Sequence, residues 1–100
     1  MTRVLVSGDD GSVRVSEAAL KQLVDDAVTA VDGARLRKRR KLSVELADGR
    51  ARAELEISLP YGSVVSEDAR AVQESVARVL TEICGAEVDA VDVSVVELTR

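Results

Sequence analysis

The dipeptide Asp48-Gly49 stands between two runs of strict apolar/polar alternation, and no other feature of this 100-residue chain restricts its fold as tightly. Before it, Leu42, Val44 and Leu46 share one side of an extended chain while Ser43 and Glu45 share the other; after it, Ala51, Ala53, Leu55, Ile57 and Leu59 repeat the pattern. Alternation on both sides of Asp-Gly predicts a β-hairpin closed by a type I′ turn, whose two central residues both need positive φ. With a two-residue loop the numbers of facing residues add to a constant. Leu42 then faces Leu55, Val44 faces Ala53, Glu45 faces Arg52 and Lys41 faces Glu56, so apolar meets apolar and charge meets opposite charge.

Around this hairpin the rest of the chain falls into place. The short β-branched segments from Arg3 to Val6 and from Ser12 to Val15, separated by Gly8-Asp9-Asp10-Gly11, read as two strands. Ser16 offers an N-cap, Glu17 puts negative charge in a first turn, and Leu20, Leu23, Val24, Ala27, Val28 and Val31 follow at helical spacing up to Gly33, read as the C′ residue. After Pro60-Tyr61-Gly62, Ser66 is expected to cap a second helix with the stripe Ala69, Val72, Val76, Val79, Leu80 and Ile83, closed by Gly85. Val91, Val93 and Val95 then alternate with Asp92 and Ser94 as a last strand. The order ββαββαβ, with two one-sided helices, predicts one α+β domain over residues 1–100: a two-layer sandwich of a mainly antiparallel sheet with both helices on one face. Arg52, Glu54, Glu56, Glu45, Asp92 and Ser94 would lie on the opposite face.

The inventory of side chains excludes much chemistry. The chain has no His, one Cys, no Phe, no Trp and only Tyr61. Without imidazole there is no Ser-His-Asp or Cys-His system, and one thiolate cannot build a thiolate/imidazole zinc site. Aromatic platforms for single-stranded nucleic acid are lacking too. The expectation is therefore a protein that is not an enzyme, with neither cofactor nor metal. Glu54 and Glu56 read as a salt-laced solvent face rather than an acid/base pair, and Asp9-Asp10-Gly11 as a turn rather than a calcium loop. Cys84, at the C-terminal end of the second helix, reads as a small buried hydrophobe. No stretch approaches the roughly 18 consecutive apolar residues of a membrane span. The short Val/Leu run after Met1 meets Gly8 too early for a signal peptide, so a cytoplasmic location is expected.

Two features point toward partners. Arg35, Arg37, Lys38, Arg39, Arg40 and Lys41 bring six of the 14 basic residues into seven positions. Removing those six from the 14 leaves eight basic against 18 acidic residues, a formal charge of −10 on the remainder. A loop of this kind can bind phosphates, anionic headgroups or an acidic protein, or else serve as a solvated connection that offsets an acidic body. Val96 and Leu98 add apolar side chains on the polar side of the last strand. The strand is then either bulged or covered there, by another chain or by the N-terminal strand.

The residues so far identified resemble the alkaline shock protein family of Gram-positive bacteria. The resemblance runs from Gly11-Ser12-Val13-Arg14-Val15-Ser16-Glu17 through Val31-Asp32-Gly33, the hairpin, Pro60-Tyr61-Gly62, Val72-Gln73, Val76 and Gly85 to Val88 and Val91-Asp92-Val93-Ser94-Val95. Ala34 stands where the family commonly has a bulky aliphatic residue, and Asp92 where it has Asn. The resemblance implies a non-catalytic protein of the envelope stress response that acts through protein partners and self-associates. It also implies, in some members, recruitment to the cytoplasmic face of the membrane by a separate anchor protein. A nucleic-acid-binding module using residues 35–41 is the alternative. It lacks both a Gly-x-x-Gly loop and strand aromatics.

Overall fold

The computed structural model describes residues 4–8 and 11–100. Strands β1 (Val4–Gly8) and β2 (Gly11–Val15) pair antiparallel as a two-stranded sheet, with Val4 facing Val15 and Val6 facing Val13. These are the two N-terminal strands the sequence predicts, and the structure adds their pairing; Arg3, Asp9 and Asp10, also part of that reading, lie outside the described residues. Helix α1 (Glu17–Thr29) follows, then β3 (Arg35–Arg37), a 3₁₀ turn (Arg39–Lys41), β4 (Ser43–Ala47), β5 (Arg50–Pro60), α2 (Val65–Glu82) and β6 (Glu87–Thr99).

The second sheet is built on β5. Along one edge it pairs antiparallel with β4 and then β3; along the other it pairs parallel with β6. The parallel pairing requires the chain to travel back the length of the sheet between β5 and β6, and α2 makes that crossover. Ala51, Ala53, Leu55, Ile57 and Leu59 are buried along one side of β5. They share a core with Val24, Ala27 and Val28 of α1 and with Val72, Val76 and Leu80 of α2. The α+β reading with both helices over one sheet face thus holds, and three of the four strand pairings are antiparallel. Among the described residues the interior is aliphatic apart from Ser58. Truncating Ile57 or Leu59 to Ala is expected to cost about 2–5 kcal/mol, because such a core relaxes only partly around a void.

The Asp48-Gly49 hairpin forms in the predicted register from Ser43 to Ala47, with Val44 on Ala53 and Glu45 on Arg52. Asp48 at φ 53° and Gly49 at φ 75° supply the two positive torsions of a type I′ turn. Beyond Ser43 the register changes. Glu56 pairs with Arg37, not Lys41, and Leu42 has no ladder partner in Leu55, because residues 38–42 leave the sheet edge opposite Leu55 alone. The segment read as a loop therefore begins as a strand. Its burial alternates with Leu36 half-buried between exposed Arg35 and Arg37, a period too short to stand out amid so many charges.

Helix boundaries shift as well. Ser16 caps α1 as expected, its Oγ accepting from Ala19 N at 3.1 Å. The helix ends at Thr29, however, so Gly33 lies in the turn beyond and is not its C′ residue. Helix α2 starts at Val65 with Val64 at the N-cap, which puts Ser66 inside the first turn, and Ile83 is a C-cap residue 58% exposed rather than part of the core stripe.

Strand β6 carries two bulges against β5. Ala51 faces Val88 while Arg52 faces Ala90, leaving Asp89 as the extra residue; Ile57 faces Val95 while Ser58 faces Glu97, leaving Val96. The second bulge resolves the alternative left open by the sequence, and it changes the side of one residue. Leu98 falls opposite Leu59, on the core-facing row at the sheet end, not on the polar face. At the first bulge the Arg50 guanidinium donates to both Asp89 oxygens, through Nε at 3.0 Å and through Nη2, and reaches Glu87 at 3.5 Å.

Two outcomes are expected. Gly33 has φ 79°, and a Cβ there would overlap Pro60 Cγ and lie 2.9 Å from its Cδ, whereas a Cβ on Gly49 at a similar φ meets nothing. Urea unfolding of Gly33→Ala should show a loss clearly larger than the ~1–2 kcal/mol that left-handed torsion alone costs an alanine, and Gly49→Ala should show only that. Equal losses would mean that the Pro60 contact is slack. The Arg50 hydrogen bonds, with smaller help from its charge and that of Arg52, hold the Asp89 carboxyl below the usual carboxylate range against partial desolvation. A depressed folded-state pKa stabilises above the unfolded value of about 3.9 and is lost as pH falls through the folded one. The stability difference between wild type and Asp89→Asn should accordingly shrink in unfolding curves taken at successively lower pH below 5; a constant difference would contradict the assignment.

Candidate functional site

Residues 35–41 form a protruding basic bulge for a simple reason. Leu36 packs against the core before it and Leu42 is buried after it, while the charges between them cannot be buried without partners. The chain is pinned at both ends and pushed outward between them. Lys38 takes the left-handed region at φ 46°, and the 3₁₀ turn closes through Lys41 N donating to Lys38 O at 2.7 Å and Leu42 N to Arg39 O at 3.0 Å.

The six cations of the bulge divide into two groups. Arg35 Nη1 donates to the adjoining Ala34 O at 2.8 Å. Arg37 Nη2 lies 3.5 Å from Glu97 Oε2, reaching across β5 to β6. Arg39 Nη1 lies 3.7 Å from Asp25 Oδ2 and donates to Gln22 Oε1 at 3.3 Å, which ties the bulge to α1. Lys38, Arg40 and Lys41 form no ion pair among the described residues and are exposed. Arg40 borders a hollow of about 610 Å³ with Glu17, Ala18, Lys21 and Arg39. Lys41 turns toward the open sheet face, where it lines a basin of about 520 Å³ with Glu54, Leu55, Glu56, Asp92 and Ser94. Lys41 and Glu56 thus share a basin without being ladder partners. These exposed pairs contribute at most a few tenths to about 1 kcal/mol each.

Val96 and Leu98 are 50% and 46% exposed. They are not beside Lys38 and Arg40, which stand on the opposite edge of β5; among the described residues the Arg37–Glu97 ion pair links the two regions. The structure adds neighbours that sequence reasoning missed. Because β5 and β6 run parallel and end together, with Pro60 opposite Thr99, Tyr61 and Leu98 emerge at one end of the sheet. Tyr61 N donates to Thr99 O, and the Arg100 guanidinium sits 5.0 Å from the Tyr61 ring centroid. Tyr61, directly after Pro60, and Val64, the N-cap of α2, are 65% and 57% exposed. Pro60-Tyr61-Gly62 reads as a strand breaker, and only the parallel pairing, which the sequence did not predict, reveals that it shares an end with Leu98.

Among the described residues no cluster of three or more His, Cys, Asp or Glu is arranged to hold a metal ion. Glu54 is exposed and Glu56 half-buried on the open face. Cys84 is half-buried against the core, and burial pushes its thiol above the usual value, away from the thiolate a reactive cysteine needs. No described helix is long and apolar enough to cross a membrane. What the arrangement can do is bind: one edge offers unpaired cations, and one end offers an aromatic and aliphatic patch.

Comparison with known proteins bears on the family and the fold. No curated protein sequence matches the chain. Among solved structures the chain is similar to the MamM CTD, determined as a histidine-to-aspartate variant in a cadmium form, with a TM-score of 0.55, 18% identity, and coverage of 83% of this chain and 95% of that one. At that identity the likeness concerns the fold. A family model for the alkaline shock protein 23 family, described by a cell envelope-related function, matches residues 34–100, from the residue before β3 to the C-terminal arginine. By that match over two thirds of its length, the chain belongs to the alkaline shock protein 23 family.

Proposed function

We propose that this chain is a non-catalytic scaffold of the envelope stress response that works by binding protein partners and by self-association. Recruitment to the cytoplasmic membrane face, on this reading, comes through an anchor protein. The observation that carries the proposal is the extrusion of residues 38–42 from the sheet edge, which presents Lys38, Arg40 and Lys41 without ion-pair partners among the described residues. On a body with a net charge of −4 overall, such a ridge attracts an acidic partner selectively, and its contribution is electrostatic. Arg37 and Arg39 serve chiefly to fix the ridge in place, through Glu97 and Asp25. Val96 and Leu98, together with Tyr61, supply a second, apolar contact region at the sheet end.

The division of labour within the bulge is testable. Changing Lys38, Arg40 and Lys41 together to Gln should leave thermal unfolding nearly unaltered while weakening capture of native partners by on the order of tenfold at low salt. The gap should close near 1 M salt, where the screening length falls to about 3 Å. Changing Arg37 and Arg39 instead should lower stability by no more than about 1 kcal/mol per ion pair. A nuclease-treated lysate run alongside should retain the same partners. Unchanged capture by the triple variant at both salt concentrations would reduce the bulge to a solvated connection, and loss of all capture on nuclease treatment would favour a nucleic-acid partner.

A further inference from the structure

We infer that the free edge of β6 is the surface through which two copies of this chain join, by antiparallel pairing of β6 with its own symmetry mate centred on Val93. This rests on the self-association proposed above and names the surface that carries it.

Strand β6 is the longest in the molecule, 13 residues, and among the described residues it pairs on one side only. Sheet edges of this length are ordinarily blunted by Lys, Pro or bulges. Here the strand contains neither Lys nor Pro, and its bulges at Asp89 and Val96 sit outside an uninterrupted stretch between them. Three of its four acidic residues are held by arginines of the same chain: Glu87 and Asp89 by Arg50, Glu97 by Arg37. Val91, Val93 and Val95 face the core yet remain half-buried, which is what a core row looks like when its outermost neighbour is missing. One group of this stretch is already engaged: Val91 O accepts from the Gln73 side chain of α2 at 3.1 Å, a bond that a strand pairing through this carbonyl has to share or replace.

The choice of a second copy over another partner follows from the residues themselves. Val91-Asp92-Val93-Ser94-Val95 reads nearly the same in both directions. Antiparallel pairing about Val93 sets Val91 against Val95 of the second copy and Val93 against Val93 on the helix-covered side, and Asp92 against Ser94 on the open side. Moving the centre to Asp92 would oppose two carboxylates directly, which is destabilising. Moving it to Ser94 would put Asp92 against Val96 and Val91 against Glu97. A shift by half a step would set valines against the polar row and turn one sheet over. Only the Val93-centred register keeps like with like and charges apart. A two-fold contact of this kind is isologous and closes as a dimer.

Cysteine pairing reads the register directly. In a Cys84→Ser background, Asp92→Cys and Ser94→Cys are prepared as separate proteins; both positions are exposed on the open face, so folding is checked simply by circular dichroism and melting. In the inferred register position 92 lies opposite position 94 of the other copy, at about 4.5–5.5 Å between Cα atoms, while 92 to 92 and 94 to 94 are diagonals of about 7–8 Å, beyond easy disulfide reach. Under mild oxidation the mixed sample should cross-link about tenfold faster than either protein alone, and sedimentation should show a dimer of the unoxidised wild type. A dimer whose mixed and single samples cross-link equally, or not at all, overturns the β6 surface while leaving self-association standing. A wild type that stays monomeric up to about 100 µM, without cross-links, overturns both.

Discussion

The burial of one side of β5 is the constraint on which the rest of this molecule depends. Among the described residues it is the only strand paired along both edges, and its inward row, Ala51, Ala53, Leu55, Ile57 and Leu59, is the floor on which both helices rest. A core without Phe or Trp must reach its density with Val, Leu, Ile and Ala, whose branched shapes pack well on a pleated surface. Ala51 and Ala53 occupy the first half of β5 in this core and the larger Leu55, Ile57 and Leu59 the second. Everything the protein shows to solvent hangs from that floor.

The functional features are places where pairing to β5 is interrupted. On the β3/β4 edge the interruption releases residues 38–42, and since Leu36 and Leu42 hold its ends inside, the released part must be the charged part. On the β6 edge the interruptions are smaller, one residue each, and they bound a regular valine-rich stretch. The same strand thus displays a cationic ridge on one flank and an apolar, unpaired edge on the other. The Arg37–Glu97 pair spans β5 between the two flanks.

How much of this was legible follows from the range of the signals involved. The hairpin could be read to the residue from Ser43 to Ala47, because a two-residue turn and a period of two leave only one register. The helical stripes were legible for the same kind of reason, and Ser16 announced itself as a cap. Strand β3 was not, since three residues with a single apolar member, Leu36, cannot be told from a basic linker until β5 offers them a partner. The start of α2 was misplaced because Ser66 looked like a cap while Ser63 N, donating to Pro60 O, had already turned the chain so that Val64 could take that role. The cations of the bulge were identified as a group. Their division into anchored Arg37 and Arg39 and unpaired Lys38, Arg40 and Lys41 depends on Glu97 and Asp25, distant in sequence, and no local pattern encodes it.

On the reading proposed above, β5 anchors a platform whose β6 edge is completed by association with a second copy. Hydrogen exchange followed by mass spectrometry at two protein concentrations tests it most directly, because it reads backbone hydrogen bonding strand by strand. The account predicts that β5 amides are the slowest to exchange and indifferent to concentration, while amides between Ala90 and Val95 in β6 gain protection only at the higher concentration. Equal protection of that β6 stretch at both concentrations, or faster exchange in β5 than in the strands beside it, would contradict the account.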